Sequence, residues 1–145
     1  MGVLAFTVEI GTSFDPPYSA VEGLWQENRN PALYILKIAD DPAQAYGPET
    51  TDVTLVTGSS TLTLTATVSD VDNGGQEIAA AEFFMDVLGD QGTGSPLAPT
   101  DGAFDSSQEQ VIATLPWPGP GRHTLYLRGQ DVEDHWGPVS VVFYT

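Results

Sequence analysis

The chain contains no cysteine, which excludes disulfide bonds, thiol catalysis and thiolate metal sites. Among its 145 residues only 4 are lysine or arginine, against 20 aspartates and glutamates, and the formal net charge is -16. Such a chain repels phosphate backbones, so nucleic-acid binding is not expected. No apolar run approaches the roughly 18 residues that a membrane-spanning helix needs. No basic segment precedes the first apolar residues, so the sequence shows no signal peptide.

Residues 1–48 read as a strand, a loop, a helix and the start of a linker, which is predicted in "AYGPETTD". The apolar run Val3–Ile10 predicts the strand, and the double proline in "GTSFDPPYS" excludes regular structure in the following loop. Asn30 as N-cap and Pro31 at the first helical position predict the start of a helix in "NPALYILKIADDP". Residues 20–29 could form a preceding helical stretch. A strand at the terminus without partners of its own indicates a piece cut from a larger domain.

Residues 49–145 predict a mainly β module of short strands separated by turns. "STLTLTATVSD" alternates apolar residues with threonines, which indicates a strand with one buried face formed by Leu62, Leu64, Ala66 and Val68. Further strands are predicted in "IAAAEFFMDV", "EQVIATLP", "HTLYLRGQD" and "PVSVVFYT". This spacing favours a β-sandwich of the immunoglobulin/fibronectin III-like kind. Because no cysteine pair marks a true immunoglobulin domain, we predict only this looser class.

Glu9 is the one carboxylate in the apolar run Val3–Ile10. Burying an unpaired carboxylate is costly, so an acid in a buried strand is either paired with another group or used chemically. The alternative is a surface glutamate on an edge strand, which needs neither a partner nor a function.

The segment "FTVEIGTSFDPP", with the helix in "NPALYILKIA", resembles the end of the catalytic domain of zinc carboxypeptidases of the carboxypeptidase A-like family. The resemblance implies that residues 1–48 are a strand-loop-helix remnant of an α/β peptidase domain. It also implies that Glu9 is the general acid/base of the parent enzyme. There Glu9 would activate a zinc-bound water and then protonate the leaving amine of a peptide substrate.

The second region resembles β-sandwich modules appended to bacterial exported carboxypeptidases of this type. The similarity lies in "DNGGQEIAAAEFFMD", "APTDGAF" and "GRHTLYLRGQDVEDHWGPVS", which includes an R-G-Q-D-x-x-x-x-W-G-P pattern. The resemblance implies a secreted bacterial parent. Residues 49–145 would then be an accessory module for stability, positioning or attachment, in contact with a cell surface or a polysaccharide.

The family's zinc ligands, an H-x-x-E pair and a distant histidine, are absent from this sequence. Its two histidines, His123 and His135, lie in the second region, and neither begins an H-x-x-E pattern. The Asn28-Arg29 pair and Tyr18 echo substrate-binding residues of the family, but those residues belong upstream of the glutamate, so we do not assign them. Zinc would be bound by the parent enzyme only, and this chain alone is predicted to be inactive.

Two acidic segments, "SDVDNGG" and "GQDVEDHWG", directly follow predicted strands. If both loops emerge at one end of a sandwich, their carboxylates converge and could bind Ca²⁺. The candidate ligands are Asp70, Asp72, Asp131, Glu133 and Asp134. The first loop is not an EF-hand, because its spacing is one residue short and Ala81 stands where a bidentate glutamate is required. The alternative is that these acids only form turns by bonding nearby backbone amides.

The tryptophans raise the question of carbohydrate binding. Trp117 lies between two prolines and is predicted to be exposed, so it could offer a sugar-stacking surface. Trp136 is expected to pack over one end of the sandwich, and Trp25 belongs to the first region.

Two hypotheses therefore remain. In the first, the chain is the C-terminal portion of a secreted zinc metallocarboxypeptidase that removes C-terminal residues from peptides. In the second, it is a free-standing binding or adhesion module for carbohydrate or protein, stabilised by calcium if the acidic loops bind it, with residues 1–48 packed on the sandwich as an arm. The first hypothesis leaves Val3–Ile10 and the apolar helix face partly uncovered, whereas the second buries them.

Overall fold

The structure is a computed structural model that describes residues 7–145. The chain divides into two compact units, Met1–Pro42 and Ala43–Thr145. We call the first, described from Thr7 onward, the helical unit, and we call the second the two-sheet unit.

The predicted strand Val3–Ile10 falls only partly within the described residues, because residues 3–6 lie outside them. Residues 7–10 have no regular secondary structure and are exposed, so the prediction of a strand is wrong for this part. A strand requires a neighbour for its backbone groups, and no strand of the described part pairs with these residues.

The helical unit contains a short 3₁₀ turn, Tyr18–Ala20, followed directly by helix α1, Val21–Lys37. The prediction that the helix begins at Asn30 and Pro31 is wrong, because Pro31 lies inside α1. An interior proline removes one backbone hydrogen bond and fits poorly against the preceding turn. The residues before Pro31 are helical nonetheless. The suggested helical stretch at 20–29 is therefore the first half of one continuous helix.

Local interactions account for the ends of α1. Near its start, the side chain of Gln26 donates to the carboxylate of Glu22 at 2.7 Å, one turn earlier. At its other end Lys37 lies in the last turn, where a cation is favourable. The backbone N–H of Ile38 then bonds the Tyr34 carbonyl at 3.1 Å.

The two-sheet unit is mainly β, as the sequence predicted. A 3₁₀ turn at Pro42–Ala45 precedes the first strand. The strands are β1 (Glu49–Thr57), β2 (Thr61–Ser69), β3 (Ile78–Met85), β4 (Ser95–Pro96), β5 (Ala98–Pro99), β6 (Gln108–Pro116), β7 (His123–Asp131) and β8 (Ser140–Tyr144). They form two antiparallel sheets, ordered β1-β2-β6-β5 and β4-β3-β7-β8, an arrangement compatible with a β-sandwich.

The alternation in β2 explains how this strand is buried. Leu62, Leu64, Ala66 and Val68 are all 0–1% exposed, as the sequence pattern predicted. They pack with apolar side chains of both sheets in one hydrophobic core, which includes Ile78, Phe83, Val111, Leu125 and Leu127. The β-branched threonines between them suit the pleated surface that faces away from the core.

Both edges of the first sheet deviate from long flat strands. Edge strand β1 begins at Glu49, inside the segment that read as a linker, and a bulge interrupts its pairing with β2 between Thr51 and Thr54. Within this bulge Asp52 has a φ of 50°, a conformation that aspartate tolerates better than most residues. The opposite edge strand, β5, is only 2 residues long and ends at Pro99.

Within residues 7–145, no helix combines the length and the apolarity that crossing a membrane would require.

Candidate functional site

Glu9 lies in an irregular, exposed stretch of the helical unit. The premise that it is a buried acid in a strand is therefore wrong. Its assigned role as general acid/base depends on a zinc-bound water, and the described residues do not test that role.

Each of the two acidic segments of the two-sheet unit contains one buried carboxylate. Asp70 directly follows β2, and Asp131 is the last residue of β7. Both side chains are completely buried. The negative charge of Asp131 contributes to raising the pKa of Asp70, after burial as the main cause. The predicted convergence of the five carboxylates stays a prediction.

Asp131 is surrounded by donors from its own loop. Its Oδ1 accepts the backbone N–H groups of Glu133 at 2.8 Å and His135 at 2.9 Å. Its Oδ2 lies 3.0 Å from Nδ1 of His135. These bonds fold the turn after β7 around the carboxylate, as aspartate commonly does at turns.

Asp70 is held less completely than Asp131. Its Oδ2 accepts the backbone N–H of Gln76 at 2.7 Å, but its Oδ1 is buried and has no hydrogen-bond partner. Burial is the main cause that raises the pKa of Asp70 above its usual value, and the neighbouring Asp131 adds to it. The bond from Gln76 acts in the opposite direction but does not cancel the effect. A buried carboxylate oxygen without a hydrogen bond is rare in folded proteins, and Oδ1 of Asp70 is one.

The other three predicted calcium ligands do not join this pair. Asp72, Glu133 and Asp134 are exposed, and Oδ1 of Asp134 accepts a bond from Gln130 at 3.2 Å. Among residues 7–145, no three His, Cys, Asp or Glu side chains are arranged as a metal site. Calcium binding through Asp70, Asp72, Asp131, Glu133 and Asp134 stays a prediction.

A buried ion pair, which the sequence reading missed, lies on the outer side of the second sheet. Nε of Arg128 in β7 donates to Oε1 of Glu82 in β3 at 2.7 Å, and both residues are almost fully buried. The loop after β3 covers them: the N–H groups of Gly92 and Gly94 bond the Glu82 carboxylate at 3.1 and 2.7 Å. Arg128 also donates to the carbonyl of Gly89 at 3.2 Å. The sequence carried a signal for this pair, because Glu82 and Arg128 are charged residues within strands of alternating pattern.

This network gives the R-G-Q-D-x-x-x-x-W-G-P pattern a structural explanation. Its arginine, Arg128, makes the buried ion pair and lies 5.3 Å from the centre of the Trp136 ring. Its aspartate, Asp131, folds the turn described above. Its last glycine, Gly137, lies so close to Pro48 that a Cβ would overlap the Pro48 carbonyl oxygen. The residues of this pattern therefore have structural roles in β7 and in the loop that follows it.

The tryptophans are placed as follows. Trp117 is 45% exposed, and its Nε1 donates to the hydroxyl of Tyr144 at 3.1 Å, so its predicted exposure is confirmed. Trp136 is partly buried and packs near Arg128 at the end of the two-sheet unit, as expected. Trp136 also lines a hollow with Tyr46, Glu49 and Asn73, a grouping that the sequence reading did not identify.

No protein-family model matches this chain, and no curated protein matches it.

Proposed function

We propose that the chain is the C-terminal portion of a secreted zinc metallocarboxypeptidase that removes C-terminal residues from peptides. Residues 1–48 would complete the α/β catalytic domain, and Glu9 would be its general acid/base. Residues 49–145 would be an immunoglobulin/fibronectin III-like β-sandwich that stabilises or attaches the enzyme. The zinc and its ligands would come from the preceding part of the parent protein.

The observation that carries this proposal, beside the sequence resemblance, is the apolar surface of the helical unit. Among its described residues only Ile38 is buried. Large side chains that normally require cover are exposed: Phe14, Tyr18, Val21, Trp25, Leu33 and Leu36. Exposed apolar area on this scale marks a surface made to be covered by other protein. A catalytic domain that continues upstream would cover it.

A second feature of the helical unit supports the same proposal. Ile10, Val21, Leu24, Trp25, Asn28 and Ala32 line a hollow of about 310 Å³ whose surface is almost entirely apolar. It joins the segment just after Glu9 to the first half of α1. A hollow of this kind suits apolar side chains of a neighbouring strand or helix better than a polar ligand.

The parent protein provides the decisive test of Glu9. With zinc present, it should release the C-terminal residue of a blocked dipeptide, and Glu9→Gln should reduce kcat by roughly 10²-fold or more, the usual contribution of a general base. Glu22→Gln, another glutamate of the helical unit, is the matched control and should leave kcat unchanged. A parent without an upstream H-x-x-E pattern, or a fully active Glu9→Gln variant, would contradict the proposal.

The second candidate is a free-standing binding or adhesion module, and the complete core of the two-sheet unit favours it. Hydrogen exchange of the isolated 145-residue chain separates the candidates. Fast exchange at residues 7–40 beside a protected two-sheet unit supports a severed catalytic domain. Strong protection there supports the free-standing module, because the apolar helix face would then be covered within the chain.

A further inference from the structure

A hollow of about 470 Å³ lies at one end of the two-sheet unit. Its volume is within the roughly 300–1,000 Å³ of small-molecule sites. Three separate segments supply its characteristic side chains. Tyr46 comes from the connection before β1 and Glu49 from the first residue of β1. Asn73 comes from the loop after β2, and Trp136 from the loop after β7.

The walls of this hollow are held by close backbone contacts. Gly47 and Gly137 cross so tightly that a Cβ on either would overlap the backbone of the other segment. The side-chain amide of Asn73 donates to the Gly47 carbonyl at 3.0 Å and ties the third segment to this crossing. Trp136 is fixed by a backbone bridge to Gln130 and by Arg128 near its ring. A site held in this way binds without the cost of ordering loops.

The hollow combines two aromatic side chains with a carboxylate and an amide. Tyr46 is 63% exposed, so its ring is accessible. Glu49 is exposed at the rim, and Asn73 retains its side-chain oxygen as an acceptor after donating through Nδ2. Aromatic rings contact the C–H face of a sugar, while carboxylate and amide groups bond its hydroxyls. From this set we infer that the hollow binds a neutral oligosaccharide, with one sugar ring stacked on the exposed ring of Tyr46.

Charge distinguishes this ligand from the alternatives. A net charge of -16 and the carboxylate of Glu49 oppose an anionic sugar or a phosphate. A cationic ligand is favoured by Glu49 but opposed at Trp136, because the guanidinium of Arg128 already lies 5.3 Å from that ring. A neutral, hydroxylated sugar ring is repelled neither by the carboxylate of Glu49 nor by the guanidinium of Arg128. This site is separate from Trp117 and does not depend on the peptidase proposal.

The test is an NMR titration of the ¹⁵N-labelled 145-residue chain with cellobiose, N,N′-diacetylchitobiose and choline as probes. We expect one or both disaccharides to shift the amide signals of Tyr46, Asn73 and Gly137 and the indole N–H of Trp136. Tyr46→Ala should weaken this binding about tenfold or more through loss of the stacked ring. Because Tyr46 is exposed, this variant is expected to fold, which far-UV circular dichroism verifies.

Two matched variants complete the design. Tyr18→Ala removes another exposed tyrosine, which lies in the helical unit, and Trp117→Ala removes the other candidate platform. Both variants should bind as the unmodified chain does. The inference is overturned if neither disaccharide shifts the hollow, or if Tyr46→Ala binds normally. It is also overturned if choline alone shifts these signals, which would indicate a cation site, or if the shifts centre on Trp117.

Discussion

The two units differ in where their apolar side chains lie. In the two-sheet unit, twelve buried apolar residues form one core to which both sheets contribute. In the described part of the helical unit, Ile38 alone is buried, while Trp25 is 57% and Leu36 71% exposed. We therefore expect the two-sheet unit to be the more stable of the two when isolated, because burial of apolar area is the main favourable contribution to folding. The described part of the helical unit carries large apolar side chains of the kind found in cores, but most of them are exposed.

The largest effect is expected from breaking the Arg128–Glu82 pair. Glu82→Gln removes the charge that balances a buried guanidinium, and losing one partner of a buried pair costs about 3 kcal/mol or more. Urea unfolding of the two-sheet unit, followed by tryptophan fluorescence, measures this loss. Glu77→Gln, an exposed glutamate just before β3, is the control and should change the free energy of unfolding little. A loss as small as that of the control would mean that Arg128 finds water or another acceptor.

A leucine-to-alanine pair compares the two units directly. Leu125→Ala removes a completely buried side chain from the core and should cost about 2–5 kcal/mol of unfolding free energy. Leu36→Ala makes the same chemical change at a position that is 71% exposed and should cost less than about 0.5 kcal/mol. Equal losses for both variants would show that α1 is covered within this chain, and would favour the free-standing module.

A smaller effect, which depends on pH, is expected at Asp70. Because burial raises the pKa of Asp70 in the folded state, its stabilising contribution is fully present below its unfolded pKa. That contribution is lost as the pH rises through the folded pKa. Asp70→Asn keeps the shape without the charge, so it should be more stable than the unmodified chain at neutral pH, and the difference should shrink on acidification.

Unfolding curves from pH 3 to 8 measure this trend, and Asp72→Asn, at an exposed acid of the same loop, provides the control. The same experiment with calcium addresses the predicted cation site. If calcium stabilises the unmodified chain but not Asp70→Asn, the unpartnered Oδ1 of Asp70 is a ligand. If calcium stabilises neither, these acids act only in turns and in the core.

The smallest effect is expected at Glu9. Because it is exposed and lies outside any strand, Glu9→Gln in this chain should change the free energy of unfolding by less than about 0.5 kcal/mol. Under the proposed function, the same substitution should reduce kcat of the parent protein by roughly 10²-fold or more. A loss of stability comparable to that of Glu82→Gln would instead assign Glu9 a structural partner.

The sequence predicted the two-sheet unit well because the partners of each strand lie in the same chain. Alternation identified the core face of β2, and the strand segments around β3, β6, β7 and β8 were all found. Strand β1 was partly read as linker, since "GPET" carries turn residues that pairing with β2 overrides. The two-residue strands β4 and β5 have too few positions to show any period.

The helical unit was harder to predict for a physical reason. Asn30 and Pro31 give a strong local signal for a helix start, yet helix geometry continues through them. In the candidate site, the sequence placed Asp70 and Asp131 at the ends of strands, as the structure has them. Their unequal hydrogen bonding could not be predicted, because it depends on the turns around them. The hollow at Tyr46 and Trp136 could not be predicted, because it forms from segments 90 residues apart that only the tertiary fold brings together.

The shape of the sheet edges determines how the protein behaves when it is crowded with copies of itself. Long, flat edge strands recruit further chains into fibrils. Here the bulge at Asp52 interrupts β1, and strands β4 and β5 are 2 residues long and end in prolines. A charge of -16 adds repulsion between molecules. We therefore expect the edges at β1, β4 and β5 to resist pairing with further chains at high concentration.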